Sequence, residues 1–501
     1  MRSILVLFDS LSRRALSCYG GAVPTPNFDR LAARSTTFDS HFAGSLPCMP
    51  ARRDLMTGRL NFLHRSWGPL EPFDIPLTAL MAEKGVYSHL VTDHYHYFEN
   101  GGATYHTAFT TWDFLRGQEA DPWVAQVDPP LDTFRQIYAA EQFEDQRGGY
   151  RLQGMLNRTR IRETPEFPSV RTFDEALAFL DANRQAGDWF LQLEVFDPHE
   201  PFHAPPEYRA AFLTAYDGPI RDWPRYRSAA GDDPVETAEM RANYAALVAL
   251  CDAQLGRLLD RMDALAMWDD TALIVTSDHG FLLGEHDWWG KNRMPFFNEI
   301  AHLPLFLHVP GRQAGGRSAA LSQTIDVMAT LLDLHGIAAP DVVQGRSLLP
   351  ALDGGVGREI ALYGVFGGAI NATDGRYTHF RYPPDMEAAP LFEYTLMPQH
   401  SGAAFTVAEL RGAELHPGFG FTQGVPVLKI RAMKGAKRPP MQGGGFDETA
   451  SVLYDLSTDP GQLRPLDDPA TLLRLTAAIR AEMERHEAPP ELYTRFALAT
   501  P

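Results

Sequence analysis

Short apolar runs closed by turn residues recur along the chain and alternate with helical patterns. Ile4 to Phe8, His89 to Thr92, Phe190 to Val195, Ala272 to Thr276 and Leu305 to Val309 predict buried parallel strands. Between them, Asn27 to Arg34 and the Ala- and Leu-rich stretch Asn243 to Ala264 predict helices. This alternation implies an α/β fold: a mixed, mostly parallel sheet flanked by helices. Asp9, Asp93, Asp197 and Asp278 each fall just past a predicted strand end, the edge where such sheets hold ligands. An Asp that caps the next helix is the ordinary alternative. Two stretches lack a period. Arg116 to Thr164 is rich in Gln, Asp and Arg, and Pro383 to Gly445 in Gly and Pro. Both read as loops over a site or at a subunit interface. After Gly375 the pattern changes to short strands, with a helix near Pro469 to His486. The expected division is a large α/β domain over 1–375 and a smaller α+β subdomain over 376–501. The smaller one, a short antiparallel sheet plus a helix, would complete the cleft.

The length of 501 residues suits one large and one small domain. Its 45% hydrophobic and 22% charged residues are ordinary for a globular protein. A net charge of −18 argues against nucleic acid or an anionic membrane as partner. Any anion the chain binds must therefore meet positive charge gathered locally. Three cysteines, Cys18, Cys48 and Cys251, make a poor disulfide framework. The apolar run after Arg2 is shorter than a signal-peptide core and meets Asp9 without a small-residue cleavage site. No stretch has the length of a membrane span. A cytoplasmic protein is the expectation.

The chemistry-bearing signal is Cys48-Met49-Pro50-Ala51-Arg52, a C-x-P-x-R followed by Leu55 and Thr57-Gly58. Pro50 suits the first turn of a helix, where a missing N–H costs nothing. A helix starting near Cys48 carries Arg52 one turn on, over the same face. Its free N–H groups and positive end would then face an incoming anion. Five residues with two wildcards recur by chance, so a buried structural cysteine beside a surface arginine is the reading for the motif alone. Its company argues otherwise. Thr25-Pro26-Asn27-Phe28-Asp29-Arg30-Leu31 follows strand one, and Asp197-Pro198-His199-Glu200-Pro201-Phe202 follows the third strand. Ser277-Asp278-His279-Gly280 leads on to Gly290-Lys291, Pro304-Leu305, Pro310-Gly311, Ile325-Asp326 and Thr330-Leu331. Leu453-Tyr454-Asp455-Leu456 with Asp459-Pro460 lies near the end.

Together these motifs resemble the sulfatase branch of the alkaline-phosphatase-like superfamily, over roughly residues 3 to 350 plus the C-terminal patch. The resemblance implies that a formylglycine-generating enzyme converts Cys48 to formylglycine, an aldehyde. Hydrated, it carries two hydroxyls: one attacks sulfur or phosphorus, the other later expels the anion. It also implies one divalent metal, held by Asp9, Asp278, His279 and the oxygen of residue 48. Where the family usually has a second acid after Asp9, this chain has Ser10. That departure leaves Ca²⁺ and Mn²⁺ both open. Lys291 is expected to bind a non-bridging oxygen, with Lys291 or His199 protonating the leaving group. Arg52 and His96 join the catalytic set, and His94 replaces the lysine of a family K-W-H pattern. A protonated His94 would restore that charge. Trp288, with Trp289, His286 and Asp287, is expected to wall the leaving group, core packing being equally open for the tryptophans.

The resulting expectation is hydrolysis of an aryl or carbohydrate O-sulfate through a covalent sulfo-enzyme hemiacetal. The alternative is a phosphonate monoester or phosphodiester hydrolase with sulfatase side activity. A non-catalytic binding protein with an unconverted Cys48 is the third reading. The substrate would be a small-molecule or saccharide ester, and a homo-oligomer is compatible with the irregular inserts.

Overall fold

The computed structural model describes residues 1–292, 295–312, 315–386, 390–432 and 450–500. Its centre is an eight-stranded sheet. In chain order the strands are β1 (Arg2–Phe8), β2 (Thr36–Phe38), β3 (Tyr87–Thr92), β4 (Thr111–Phe114), β5 (Trp189–Val195), β6 (Thr271–Ser277), β7 (Leu305–His308) and β8 (Gly316–Ser318). Across the sheet they lie in the order β8-β2-β7-β6-β1-β5-β3-β4. Every neighbouring pair is parallel except those made by β7, which runs antiparallel to both β2 and β6. The apolar run at Leu305 was expected to be parallel. A run buried on both faces carries no direction in its sequence, because both orientations bury the same side chains.

Alternation along β1 sorts its side chains into two cores. Ile4, Val6 and Phe8 pack with the helices Pro26–Arg34, Pro168–Ala182 and Pro234–Ala264. Leu5 and Leu7 point the other way, against Met49, Leu55 and Met56 of the helix Cys48–Thr57 and against Ile325–Leu334. Burying each such side chain contributes roughly 1.5–3 kcal/mol, so the helix carrying Cys48 is fixed to the sheet chiefly by its apolar face.

The Asn243–Ala264 helix is longer than its apolar pattern suggests. It starts at Pro234, capped by Asp233, whose side chain accepts from the N–H groups of Val235 and Glu236. The 116–164 stretch is not all loop, since it holds the helices Leu131–Ile137 and Tyr150–Arg158. Their apolar faces close a small cluster of their own around Phe134, Leu152 and Met155. Toward the C-terminus, Ala361–Val365, Ala369–Thr373, Tyr377–Arg381 and Val452–Asp455 form an antiparallel sheet, against which the helix Pro469–Arg485 packs. Within Pro383 to Gly445, a three-stranded sheet joins Phe392–Thr395, Val427–Arg431 and Glu414–His416. Residues 387–389 and 433–445 of that stretch lie outside the described residues. Among the described residues no helix is long and apolar enough to cross a membrane.

Candidate active site

Two central strands deliver carboxylates to one point. Asp9 follows Phe8 of β1 and Asp278 follows Ser277 of β6, and both are fully buried. Cys48 stands in the first turn of its helix, 2% exposed, with Pro50 also in that turn. Its Sγ lies 3.2 Å from Nε2 of His279 and 3.4 Å from Nζ of Lys291. One ligand atom from each of Asp9, Cys48, Asp278 and His279 lies within 4.8 Å of the others. Two carboxylates, an imidazole and the residue-48 atom form a donor set that suits a divalent cation.

His279 is aimed by its surroundings. Its Nδ1 contacts the Gly280 carbonyl at 3.0 Å, which turns Nε2 toward Cys48 and Asp278. Gly280 is required by clearance: a Cβ there would sit 1.9 Å from the Glu299 carbonyl oxygen. Burial, then Lys291, pulls the His279 pKa down to about 3, so the ring is neutral and keeps a lone pair for a metal.

Arg52 holds the floor together. It is 0% exposed and donates to three carboxylates: Asp9 at 2.9 Å, Glu194 at 2.7 Å, and Asp278. It also donates to the Cys48 carbonyl at 3.0 Å, closing its own helical turn. Ser10, at φ 61, donates its hydroxyl to Asp9 at 2.7 Å and its backbone N–H to Asp278 at 3.1 Å. Lys291 reaches in from the opposite side, donating to the Ser10 hydroxyl at 3.1 Å and standing 3.6 Å from Asp9. Burial opposes ionisation of Asp9, but Lys291 and Arg52 outweigh it and hold the carboxyl well below its usual range. Asp278 goes the other way: burial and the Asp9 charge push it up to about 7. Burial favours neutral Lys291 as well, yet the surrounding anionic groups raise its pKa and keep it cationic.

The Cys48 thiol is driven well above its ordinary pKa by burial and then by Asp9. Nucleophilic cysteines are tuned in the opposite direction.

A cavity of about 720 Å³ opens over Cys48. His96, His199 and Lys291 line it with Cys48. His96 Nδ1 pairs with Glu99 at 2.7 Å, and the ring meets Trp67 edge-on. His199 Nδ1 contacts the Glu200 carbonyl oxygen, with the Glu200 carboxylate at 3.2 Å and that of Glu119 at 3.9 Å. Burial and then Lys291 hold the His199 pKa well below its ordinary value. Glu119 accepts from the phenols of Tyr95 and Tyr150, and Glu200 from that of Tyr226.

His94 lies deeper. It is fully buried, contacts Asp9 at 3.2 Å and does not line the cavity, and burial pulls its pKa well down. The structure thus places His94 behind the Asp9 carboxylate, where burial disfavours the protonated ring offered as one way to restore the missing lysine's charge. Trp288 is corrected too: it packs with Phe42, Leu46 and Phe296 in an apolar cluster away from the cavity. Trp289 joins the main core, and His286 stacks on Phe297. The aromatic wall is instead Trp67, Trp223 and Tyr226. Asp93 and Asp197 brace the rim: Asp93 accepts from the Phe196 N–H at 2.7 Å and from Gln118 at 2.9 Å.

Sequence reasoning missed Glu119, Glu194, Glu200 and the wall. Glu194 left a signal, the one charged residue inside the fully buried run Trp189–Val195. Glu200 stands beside His199 in the quoted turn. Trp223 and Tyr226 left none, since they lie in a segment without periodicity.

Comparison with known proteins adds an independent line. The sulfatase family model matches residues 3–337. The multifunctional alkaline phosphatase superfamily protein PehA of Trinickia caryophylli is 30% identical over 66% of this chain and 71% of its own. Human iduronate 2-sulfatase is 27% identical, covering 71% of this chain and 69% of its own. Among solved structures, the phosphonate monoester hydrolase of Agrobacterium radiobacter superposes with a TM-score of 0.66 at 21% identity, covering 97% of this chain and 96% of that one.

Proposed function

The chain belongs to the sulfatase family, and from that premise we propose that it hydrolyses O-sulfate esters of a sugar or aromatic alcohol, using formylglycine at position 48 and a divalent metal. The observation that carries this reading is the setting of Cys48. Its thiol is unsuited to act as a thiolate, yet it shares a ligand cluster with Asp9, Asp278 and His279 and lies 3.4 Å from a buried lysine.

A cation held by Asp9, Asp278, His279 and the residue-48 oxygen, Ca²⁺ or Mn²⁺, would polarise the ester and acidify the aldehyde hydrate. Residue 48 attacks sulfur with one hydroxyl, whose proton passes to the neighbouring Asp278 carboxylate, and the sulfur–alkoxide bond breaks. The leaving oxygen takes its proton from cationic Lys291, or from His199 once that ring, neutral in the free site, has taken up a proton beside Glu119 and Glu200. Lys291, kept cationic, neutralises a non-bridging oxygen. The second hydroxyl then loses its proton, sulfate departs, the aldehyde re-forms and water rehydrates it. Arg52 holds Asp9 and Asp278 close and helps keep Asp9 ionised. His96 borders the ester, and His94 orients Asp9 from behind. The segment from residue 376 completes the cleft through Ser401, which lies on the cavity wall.

A second reading, phosphonate monoester or phosphodiester hydrolysis, is favoured by Ser10 in place of a second acid. The similarity to PehA, by name a multifunctional protein of the alkaline phosphatase superfamily, is compatible with activity on more than one ester. A side-by-side kinetic comparison of an aryl sulfate, an aryl phosphonate monoester and an aryl phosphodiester tests the choice. Sulfate turnover far below both phosphorus esters rejects the first reading. Mass spectrometry of the peptide containing residue 48 checks the aldehyde.

A further inference from the structure

The cavity wall gathers arginines that are not alike. Arg227 is neutralised by Glu141 at 2.9 Å and Asp232 at 2.7 Å. Arg151 and Arg225, on the same wall, have no carboxylate within ion-pair distance among the described residues. Arg151, only 9% exposed, donates to the carbonyl oxygens of Trp223 at 2.8 Å and Pro224 at 3.0 Å, its guanidinium lying over the Trp223 ring. Glu144 is close and accepts from the Arg151 backbone N–H at 2.6 Å, but it makes no ion pair with the guanidinium. Arg225 is exposed and commits Nε to the Glu141 carbonyl at 2.6 Å, and among the described residues its two terminal nitrogens have no acceptor. Burial and then the neighbouring Arg225 charge draw the Arg151 pKa down to about 10, which still leaves it charged at neutral pH.

Two like charges side by side, one buried, are costly unless something anionic joins them. Glu200, Glu141 and Glu144 offset part of that cost from a distance, but among the described residues none of them forms an ion pair with either guanidinium. The free fork of Arg225 fits a planar or tetrahedral oxyanion in bidentate fashion. Some 720 Å³ of cavity also exceeds what a single ester group fills.

We propose that Arg151 and Arg225 form a subsite for a second anionic group on the substrate, a carboxylate or sulfate carried by the alcohol half and separate from the ester that reacts at residue 48. The substrate class is therefore a dianionic ester, such as a sulfated sugar bearing a second charge. This rests on the ester-hydrolase reading above and is tested so that the two stand or fall apart.

Binding is measured by calorimetry in metal-loaded Cys48→Ala protein, with and without Arg225→Gln. The ligands are a hexosamine monosulfate, the same sugar with a second sulfate, and a hexuronic acid monosulfate. A second anion is expected to tighten Kd about tenfold to a hundredfold, the range of a charge-assisted hydrogen bond. Arg225→Gln removes most of that gain, while Arg225→Lys keeps part of it. The two dianions tell whether carboxylate or sulfate is preferred. An unchanged ratio in Arg225→Gln, or no gain from the second anion, overturns the subsite. So does tighter binding of a quaternary-ammonium sulfate, which would mean that Glu119 and Glu200 govern the cavity. Failure of the wild-type enzyme, with residue 48 converted to the aldehyde, to turn over any ester instead overturns the functional reading and leaves these Kd ratios interpretable.

Discussion

The floor of the cleft and its wall are built on different terms. On the floor, Asp9, Cys48, Arg52, Asp278 and His279 are all buried, and charge is closely matched, Arg52 alone serving three carboxylates. The wall draws on the segments around Glu119, Tyr150 and Trp223, where aromatic faces alternate with arginines and one of those arginines is exposed. A preorganised floor fixes the reaction, and a wall assembled from inserts selects what reacts. Floor substitutions should therefore act on kcat, metal content or folding, and wall substitutions on KM.

The largest effect is expected for Cys48→Ala: turnover of 4-nitrophenyl sulfate drops about a thousandfold or more, with an unchanged circular dichroism spectrum. Activity retained within tenfold would remove residue 48 from the chemistry and dissolve the contrast. Next is Arg52→Ala, which strands Asp9, Glu194 and Asp278 as uncompensated buried charges. Denaturant unfolding should show a loss of about 3–5 kcal/mol. His199→Ala is expected to slow sugar sulfates by about 100-fold or more and nitrophenyl sulfate far less, since a good leaving group needs little protonation. Equal losses on both would mean that the proton comes from elsewhere. On the wall, Trp223→Ala should raise KM by roughly tenfold with kcat and bound metal little changed, the scale of one lost aromatic face. A kcat collapse there would erase the floor–wall distinction.

The smallest effect concerns the scaffold. Burial holds His41, His379 and His486 at a pKa of about 4, below their ordinary 6.5. Between those values the unfolded chain binds protons that the folded one refuses, so stability is intact above pH 6.5 and falls as pH drops toward 4. Each ring contributes up to about 1.4 kcal/mol per pH unit across that window. Buried Asp54 and Asp197, pushed up to about 7 and about 6, act in the opposite sense, so thermal unfolding at pH 7.5 and 5 is compared between the parent and His486→Asn: the variant should lose less on acidification, and an equal or larger loss would refute the claim.

Much of the floor was legible because strand ends and a helix start are read from short-range pattern. Asp9, Asp278 and Cys48 sit where an apolar run stops or a proline opens a turn. Strand direction at Leu305 was not legible, since both orientations satisfy burial equally. The wall was not legible either, because Trp223 and Arg151 meet through folds of aperiodic chain. Trp288 misled for a related reason: a tryptophan near Lys291 in sequence points into the apolar cluster of Phe42 and Phe296, and spacing alone does not give its facing.

The reversed direction of β7 sets how the later half of the cleft can change. Leu305 pairs with Thr276, so the chain departs from β6 and re-enters the sheet along one and the same border. Asp278, His279 and Lys291 all belong to that single excursion. A parallel return would have had to travel back down the length of the sheet. Here the excursion can lengthen or shorten over evolution, deepening or opening the mouth above Lys291, without shifting the register of either strand that bounds it.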